Sequence, residues 1–358
     1  MSLLLFLFGS ACLFYLYVNY NSKGNKDELK EASDNHQSSI RNKRPQLSSI
    51  FKAFIKTLID PANNNYLEWG NGNPDPFVFR AFVDRFQSFD DITNAMREAG
   101  LEKCQLILGI DFTASNEWQG RTSNRGFSLH NVTSKVLHNP YQHIITVLGH
   151  TLKDFVTISQ FHYNGNEQKK TMGIHAYGFG DSITKDQSTF PLQKNHEPCV
   201  DFHEVLTSYR ECASRVVLGG PTSYAPVIYK AIDIVEKTKQ FHLLVIIADG
   251  QFVNEEPTAK AIVAASFYPL SIVVVGVGDG PWSILHQFDD WLPQRHFDNF
   301  QFVEYADIVK ESHGKNAEAA LALQILMEVP DQYKMVQKLG FISQKLNGGK
   351  TLSNTTEL

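Results

Sequence analysis

The sequence has 358 residues, of which 42% are hydrophobic and 20% charged, a composition typical of folded chains that excludes wholesale disorder. This length favours one large domain with flanking segments. The net charge is −5 and lysine and arginine are scattered along the chain, so no basic stripe for a nucleic-acid backbone is visible and no nucleic-acid partner is expected.

An almost unbroken apolar run, Leu3–Val18, lies near the amino end and is slightly shorter than the ~20 residues of a spanning helix. We interpret residues 1–20 as a membrane-anchor segment, with a cleaved signal peptide as the alternative. Lysines and arginines between residues 23 and 44 predict a membrane-associated chain whose folded domain faces the cytoplasm. A glycosylation tripeptide, Asn131–Thr133, would test this topology, because a glycan on it requires a lumenal domain.

The next stretch, residues 21–46, is polar and has no apolar period, which predicts a flexible linker. Residues 47–89 form a lead-in that contains a short helix and turn-rich sequence. In this region, residues 48–59 place apolar side chains at helical spacing, which fits either a docking helix or a membrane-surface helix. A further helix is predicted from Phe89 to the C-capping residue Gly100.

From residue 90 to 342, apolar runs alternate with helical segments, which predicts an α/β fold with a doubly wound, mostly parallel sheet and helices on both faces. A polar tail, 343–358, follows. The predicted strands are 105–110, 155–161, 174–179, 242–248, 270–277 and 300–303. The predicted helices are 140–152, 202–215, 225–237, 258–267, 282–288 and 317–327.

Oxygen-bearing side chains follow two predicted strands and precede one predicted helix. Asp111, Thr113 and Ser115 alternate after the first strand, Thr222 lies just before a helix, and Asp249 ends the central apolar run. Ligands bind at the carboxyl edge of open α/β sheets, and hard oxygen ligands suit Mg²⁺ or Mn²⁺. The alternative is that these five residues only cap strands and helices.

Several longer stretches carry a family resemblance. They are LILGIDFTASN (106–116), NPYQ (139–142), YGFGDSITKDQ (177–187), LGGPTSYAP (218–226), IIADGQ (246–251), GVGDGPW (276–282), FDD (288–290), DNFQFV (298–303) and LMEVPDQY (326–333). In these stretches the chain resembles the copine-type von Willebrand factor A (vWA) domain, and most closely that of the plant RING domain ligases, the RGLG family. The similarity extends over residues 90–335.

The resemblance implies a vWA (Rossmann-like) fold with a metal-ion-dependent adhesion site. In such a site the hydroxyls of Thr113, Ser115 and Thr222 coordinate Mg²⁺ or Mn²⁺, and Asp111 and Asp249 bind it directly or through water. An electron-poor ion would favour an acidic side chain of a protein partner. The expected function is therefore a divalent-metal-dependent protein-binding module.

The resemblance to ligases raises the question of an enzymatic role in ubiquitination. A RING module needs Cys and His ligands in closely spaced pairs around two zinc ions. The four cysteines, Cys12, Cys104, Cys199 and Cys212, form no such pair, and free thiols are expected instead. We expect no intrinsic ligase activity and at most an adaptor role beside RING-bearing relatives. The alternative is an RGLG-like ligase family member or fragment that has lost its RING.

Enzymatic alternatives have weaker support in the sequence. A dehalogenase-like phosphatase would use Asp111 as its nucleophile but needs a second carboxylate at the position of Thr113. The run GVGDG (276–280) resembles a dinucleotide fingerprint, yet Pro281 replaces its third glycine, and turn chemistry explains the run better. His162, His175 and His242 have no ligand spacing and are predicted to be core or edge residues.

Overall fold

The computed structural model describes residues 89–342, apart from gaps at 123, 135–136, 154, 157–160, 165–166, 171–172, 251, 253, 291, 293–294 and 312–316. The predicted anchor (1–20), linker (21–46), helix 48–59 and polar tail (343–358) lie outside the described residues. Within the described part of the chain, no helix has the length and apolar character needed to cross a bilayer.

The main sheet has six strands in the order β5-β4-β1-β6-β7-β8. Five of them are parallel, and β5 pairs antiparallel with β4 at one edge. This arrangement confirms the predicted α/β class with a mostly parallel sheet. The strands of this sheet are β1 (Gln105–Asp111), β4 (His175–Phe179), β5 (Thr189–Pro191), β6 (His242–Ala248), β7 (Leu270–Gly276) and β8 (Phe300–Glu304).

The three central strands β1, β6 and β7 are buried along their whole length, as parallel strands covered on both faces must be. The described helices pack on the sheet or on one another. They are α1 (Phe89–Glu98), α2 (Pro140–Leu152), α3 (Phe202–Arg215), α4 (Ala225–Thr238), α5 (Glu255–Ala265), α6 (Ser283–Asp290), α7 (Tyr305–Glu311), α8 (Ala317–Leu326) and α9 (Val329–Lys338).

Alternate residues of the central strands face opposite helix layers. Leu243, Val245 and Ile247 of β6 join the core beneath α2, α3 and α8. On the other face, a Cβ at Gly109 would lie 2.9 Å from Val227 of α4, so a glycine allows this helix to pack closely on β1. The predicted placement of helices on both faces of the sheet is therefore confirmed.

Several predicted boundaries differ from the structure. In the predicted strand 155–161, Val156 makes a single bridge to Cys104, and Phe161 begins β2 (Phe161–Asn164), which forms a separate hairpin with β3 (Glu167–Lys170). Residues 157–160 are among the gaps. The apolar residues at 155–161 resembled one strand of the main sheet, because composition alone does not show where pairing with that sheet ends. The short edge strand β5 was not predicted. The helices α7 and α9 were not predicted either, because α7 follows β8 and α9 follows α8 almost without a linker.

Candidate metal centre

Parallel pairing brings the ends of β1 and β6 side by side. Ile110 pairs with Ile247, so Asp111 ends one strand where Asp249 follows the other. Both aspartates are fully buried, at 0% exposure. Two carboxylates at neighbouring strand ends are therefore enclosed beneath the carboxyl edge of the sheet, where the sequence predicted a cation site.

Hydroxyl groups from the segment after β1 complete a polar cluster with the two aspartates. The Thr113 and Ser115 hydroxyl oxygens are 2.9 Å apart, and the Thr113 hydroxyl donates to Asp249 Oδ1 at 3.4 Å. The Thr113 backbone N–H donates to Asp111 Oδ1 at 2.8 Å. The structure thus brings four of the five predicted residues into one hydrogen-bonded group.

The second carboxylate oxygens of this cluster have no donor. No donor of the described residues reaches Asp111 Oδ2 or Asp249 Oδ2, although both atoms are buried. A buried carboxylate oxygen without a partner carries a large desolvation cost. A divalent cation coordinated by these oxygens and the neighbouring hydroxyls would remove that cost, so the residues fit Mg²⁺ or Mn²⁺.

Burial raises the pKa of both acids. Burial raises the pKa of the Asp111 carboxyl well above its usual range, and the Asp249 charge raises it further. Burial also raises the pKa of Asp249, and the polar side chains of Ser115, Asp111 and Thr113 beside it act in the opposite direction. The pair therefore retains a proton more readily than free aspartates do, and a cation must displace that proton.

The fifth predicted residue, Thr222, lies on an adjacent loop. Gly219 of that loop forms a parallel bridge with Thr113, and the Ala114 N–H donates to its carbonyl at 2.8 Å. At the loop's end, the buried Tyr224 hydroxyl donates to the Gly250 carbonyl. These two attachments hold the Thr222 loop against the ends of β1 and β6, although no hydrogen bond joins Thr222 to the other four residues.

Two glycines allow this close approach of loops. A Cβ at Gly180, where φ is +78°, would lie 2.5 Å from Thr113 Cγ2 and 3.3 Å from Asp111 Oδ1. A Cβ at Gly219 would lie 2.4 Å from the Asp181 carbonyl carbon. Asp181 itself accepts hydrogen bonds from the Ile183 and Thr184 backbone N–H groups, so its carboxylate shapes the loop.

The alternative that the predicted residues only cap helices does not match the geometry. Thr113 stands at the N-cap position of the short 3-10 helix Ala114–Glu117, but its side chain makes no capping hydrogen bond. The N-cap of α4 is Tyr224, and that of α5 is Asn254. The Thr113 and Asp249 oxygens are therefore directed to each other.

A buried aromatic and imidazole layer supports the centre from below. The His130 ring is stacked between Phe112 and Tyr141, with centroid distances of 4.6 and 4.3 Å. His130 Nε2 lies 2.7 Å from the Asp111 carbonyl, and Nδ1 lies 2.9 Å from the Tyr209 hydroxyl. Burial lowers the pKa of His130 to about 4. The ring is therefore neutral at physiological pH.

The hydrogen-bond partners assign the direction of each bond in this layer. A carbonyl only accepts, so His130 Nε2 carries the hydrogen and Nδ1 accepts from the Tyr209 hydroxyl. The Tyr209 oxygen in turn accepts from Asn139 Nδ2 at 3.0 Å. Nearby, the Tyr141 hydroxyl donates to Asn116 Oδ1 at 2.7 Å, and Asn116 Nδ2 donates to the Thr113 carbonyl at 3.0 Å. This layer thus fixes the backbone of both Asp111 and Thr113.

The sequence offered only indirect signals for this layer. Asn116 and Asn139 lie in the stretches LILGIDFTASN and NPYQ, but no role could be read for them there. Asn139 also forms a capping box with Gln142 at the start of α2. His130 and Tyr209 meet across 79 residues of sequence, so no local pattern marks their contact.

Other candidate residues adopt structural roles. Gly278 of the GVGDG run approaches the end of β6 so closely that a Cβ would lie 2.1 Å from the Asp249 carbonyl oxygen. His242 is buried in β6 with a pKa lowered to about 4, mainly by burial. His175 lies in β4, and of His162 only its strand, β2, is described.

Cysteine and carboxylate clusters do not provide another metal site in the described residues. Cys104, Cys199 and Cys212 are buried thiols that form no disulfide with one another, whereas Cys12 lies outside the described residues. Across the described part of the chain, no group of three or more His, Cys, Asp or Glu side chains could hold a metal ion. The candidate centre has only two carboxylates and depends on hydroxyl oxygens for its remaining ligands.

Comparison with known proteins agrees with the resemblance found in the sequence. Residues 128–345 match the copine family. The chain is 46% identical over 260 residues to Copine family protein 1 of Caenorhabditis elegans, a match that covers 72% of this chain and 22% of that protein. It is 44% identical over 296 residues to the E3 ubiquitin-protein ligase RGLG4 of Arabidopsis thaliana, covering 79% of this chain and 70% of the ligase.

Among solved structures, the manganese-loaded Plasmodium vivax TRAP protein is 14% identical to this chain, with a TM-score of 0.37. That match covers 61% of this chain and 74% of the TRAP chain. The chain spans less than a quarter of the length of the nematode copine protein that it matches.

Proposed function

This chain belongs to the copine family, and from that premise we propose that it is a protein-binding module whose affinity for its partner depends on a divalent cation. One observation carries the proposal: Asp111 and Asp249 are buried together, each with a carboxylate oxygen that no donor reaches. Such an arrangement is costly without a cation and stable with one.

We assign the cation, Mg²⁺ or Mn²⁺, to Asp111, Thr113, Ser115, Thr222 and Asp249. When bound, the ion supplies positive charge that attracts an acidic side chain of the partner. Asp111, Thr113 and Asp249 are buried, whereas Ser115 and Thr222 are partly exposed, so the centre opens to solvent on the hydroxyl side. A partner's carboxylate would approach from that side.

Neutral hydroxyl ligands matter for this function. Two aspartates balance the charge of a divalent ion, and hydroxyls add oxygen contacts without adding further negative charge. The ion keeps its affinity for an external carboxylate, which a third protein carboxylate would reduce. His130 and Asn116 hold the ligand backbone in place through bonds to the Asp111 and Thr113 carbonyls.

The test is a calorimetric titration of the detergent-solubilised full chain with Mg²⁺ and with Mn²⁺, for the wild type and Asp249→Ala. We expect saturable binding that the substitution abolishes or weakens strongly. Affinity capture from the native cell in Mg²⁺ and in chelator would then identify partners whose binding requires the ion. Unaltered metal affinity in the Asp249→Ala variant would contradict the proposed centre.

We also propose that residues 3–18 tether the chain to a membrane and that the metal centre faces the cytoplasm. The apolar run and the lysines that follow it support this topology. Because several relatives are named E3 ubiquitin-protein ligases, we propose that this chain shares their protein-binding domain. Its role in ubiquitination would be that of an adaptor, since Cys104, Cys199 and Cys212 lie too far apart in sequence to form RING-type pairs.

A further inference from the structure

A loop leaves the metal centre directly after Ser115. The Trp118 and Gln119 backbone N–H groups donate to the Ser115 carbonyl at 2.9 Å each, and the Leu129 N–H donates to the Asn116 carbonyl at 2.9 Å. Both ends of this segment, residues 117–128, are therefore attached to the segment that carries the hydroxyl ligands. We refer to residues 117–128 as the rim loop; residue 123 is not described.

The rim loop exposes two aromatic rings and two arginines. Trp118 is 50% exposed and Phe127 is 59% exposed. Arg121 and Arg125 are also exposed, and neither forms an ion pair with another described residue. The loop's single acidic residue, Glu117, accepts a hydrogen bond from the Ser128 hydroxyl at 3.4 Å. The surface beside the metal centre thus combines exposed apolar area with two exposed arginines.

Hydrogen bonds across the site hold the rim loop in one conformation. Gln119 Nε2 donates to the Gly280 carbonyl at 3.1 Å, and Gln119 Oε1 accepts from the Asp279 N–H at 3.2 Å. Asp279 Oδ2 accepts from the Thr122 N–H at 3.0 Å. A Cβ at Gly120 would lie 2.5 Å from the Phe127 carbonyl oxygen, so the loop folds tightly on itself. A preformed surface loses less conformational entropy on binding than a mobile one.

We propose that the rim loop determines which partner the metal centre binds. The partner is a protein segment in which a metal-bound acidic side chain is next to a bulky apolar residue and near further acidic residues. The proposal rests on the proposed function, because the acidic side chain binds through the cation. Trp118 and Phe127 would bury the apolar residue. Arg121 and Arg125 would pair with the flanking acids. Aromatic and arginine side chains contribute much of the binding energy at protein interfaces.

An anionic lipid surface is the other macromolecular class that aromatic and arginine side chains could bind. A polybasic lipid-binding segment carries four to eight closely spaced basic residues. The rim loop has two arginines and one glutamate, in a chain with a net charge of −5. The observations therefore favour a protein segment, and lipid binding is treated as an outcome of the test.

The probe is a phage-displayed library of random peptides, selected on the detergent-solubilised full chain in Mg²⁺ and in chelator. Enriched peptides are then synthesised, and their affinities are measured by fluorescence anisotropy. The test variant is Trp118→Ala with Phe127→Ala. The control is Tyr229→Ala with Phe267→Ala, which removes two exposed aromatic side chains outside the rim loop. Thermal unfolding with and without Mg²⁺ verifies that both variants fold and respond to the ion.

We expect enriched peptides to contain an acidic residue beside an aromatic or aliphatic one. The rim variant should weaken their binding about tenfold or more, the change produced by about 1.4 kcal/mol, and the control should bind like the wild type. Equal, Mg²⁺-dependent binding by the rim variant would overturn the rim proposal and leave the proposed function intact. Binding that survives chelator but is lost in the rim variant would support the rim surface and contradict metal dependence.

Two further outcomes would also overturn the rim proposal. One is that no peptide is enriched more strongly on the wild type than on the rim variant. The other is a lipid result, in which the rim variant loses affinity for soluble short-chain phosphatidylserine, measured by calorimetry, but keeps its affinity for the peptides.

Discussion

Replacing Asp249 by asparagine should have opposite effects on stability with and without a divalent cation. In chelator, Asp111 and Asp249 are two buried acids whose pKa values are both raised. Asparagine has nearly the same shape and carries no charge, so the substitution removes both the desolvation of one carboxylate and its repulsion of the other. We therefore expect the variant to be more stable than the wild type in chelator and to respond little to Mg²⁺.

The direction of the pH dependence follows from the raised pKa values. A carboxyl whose pKa is raised on folding favours the protonated folded state, and that stabilisation is lost as pH rises through the folded pKa. Burial raises the pKa of Asp249 from 3.8 to about 6. Each pKa unit corresponds to about 1.4 kcal/mol, so this rise costs roughly 3 kcal/mol of folding stability at pH 7.5. The advantage of Asp249→Asn in chelator should therefore be largest at pH 7.5 and decrease towards pH 5.

Magnesium should reverse the order of stability at pH 7.5. An ion at 1,000 times its dissociation constant stabilises the wild type by about 4.1 kcal/mol, which exceeds the roughly 3 kcal/mol advantage of the variant in chelator. For a domain of this size, 1 kcal/mol shifts the melting temperature by about 2–4 °C, so we expect the wild type to gain about 8–16 °C. The assay is thermal unfolding of the full chain in chelator and in Mg²⁺, with Asp233→Asn, an exposed acid on α4, as the control. Destabilisation by Asp249→Asn in chelator, with a preserved Mg²⁺ response, would refute the reasoning.

Four further predictions concern the ligand loop, the supporting layer and the chain as a whole. Thr222→Ala should lower Mg²⁺ affinity in calorimetry, whereas Thr207→Ala, an exposed threonine on α3, should not; equal affinities would remove Thr222 from the ligand set. His130→Phe keeps the ring stack but removes the nearest donor to the Asp111 carbonyl and the acceptor of the Tyr209 hydroxyl, which should cost about 1–3 kcal/mol in urea unfolding; a wild-type midpoint would contradict that role. Deleting residues 1–20 should release the chain from membranes on fractionation, and a glycan on Asn131 would show the topology to be wrong. The purified chain should form no ubiquitin chains with activating and conjugating enzymes alone, and robust chain formation would contradict this expectation.

Local sequence patterns located the elements that lie deepest in the fold. The helices 140–152 and 202–215 and the strand 242–248 were predicted with the boundaries that the structure shows. Long apolar runs and helix caps are local signals, because burial on both faces and capping depend on residues close in sequence. The edge strand β5 has only three residues, too few to show a period.

The candidate ligands could be named from the sequence because each stands at a strand end or before a helix, and the resemblance to the copine vWA domain joined them into one site. How they meet depends on pairing between distant segments. Thr113 meets Gly219 through a bridge and Asp249 through a hydrogen bond across 136 residues. The sequence could not show that two carboxylate oxygens are left without donors, since that depends on every neighbouring group.

The sequence by itself determined the α/β class, the order of the central elements and the residue types that suit a divalent ion, since all three depend on periodicity and chemistry along the chain. Only the tertiary structure decided which groups support the centre and what surrounds it. Tyr209 on α3 contacts both His130, in a loop, and Asn139, at the start of α2. The exposure of Trp118 and Phe127 beside the metal centre is equally a product of packing, because an aromatic residue in a loop is buried or exposed according to what folds against it.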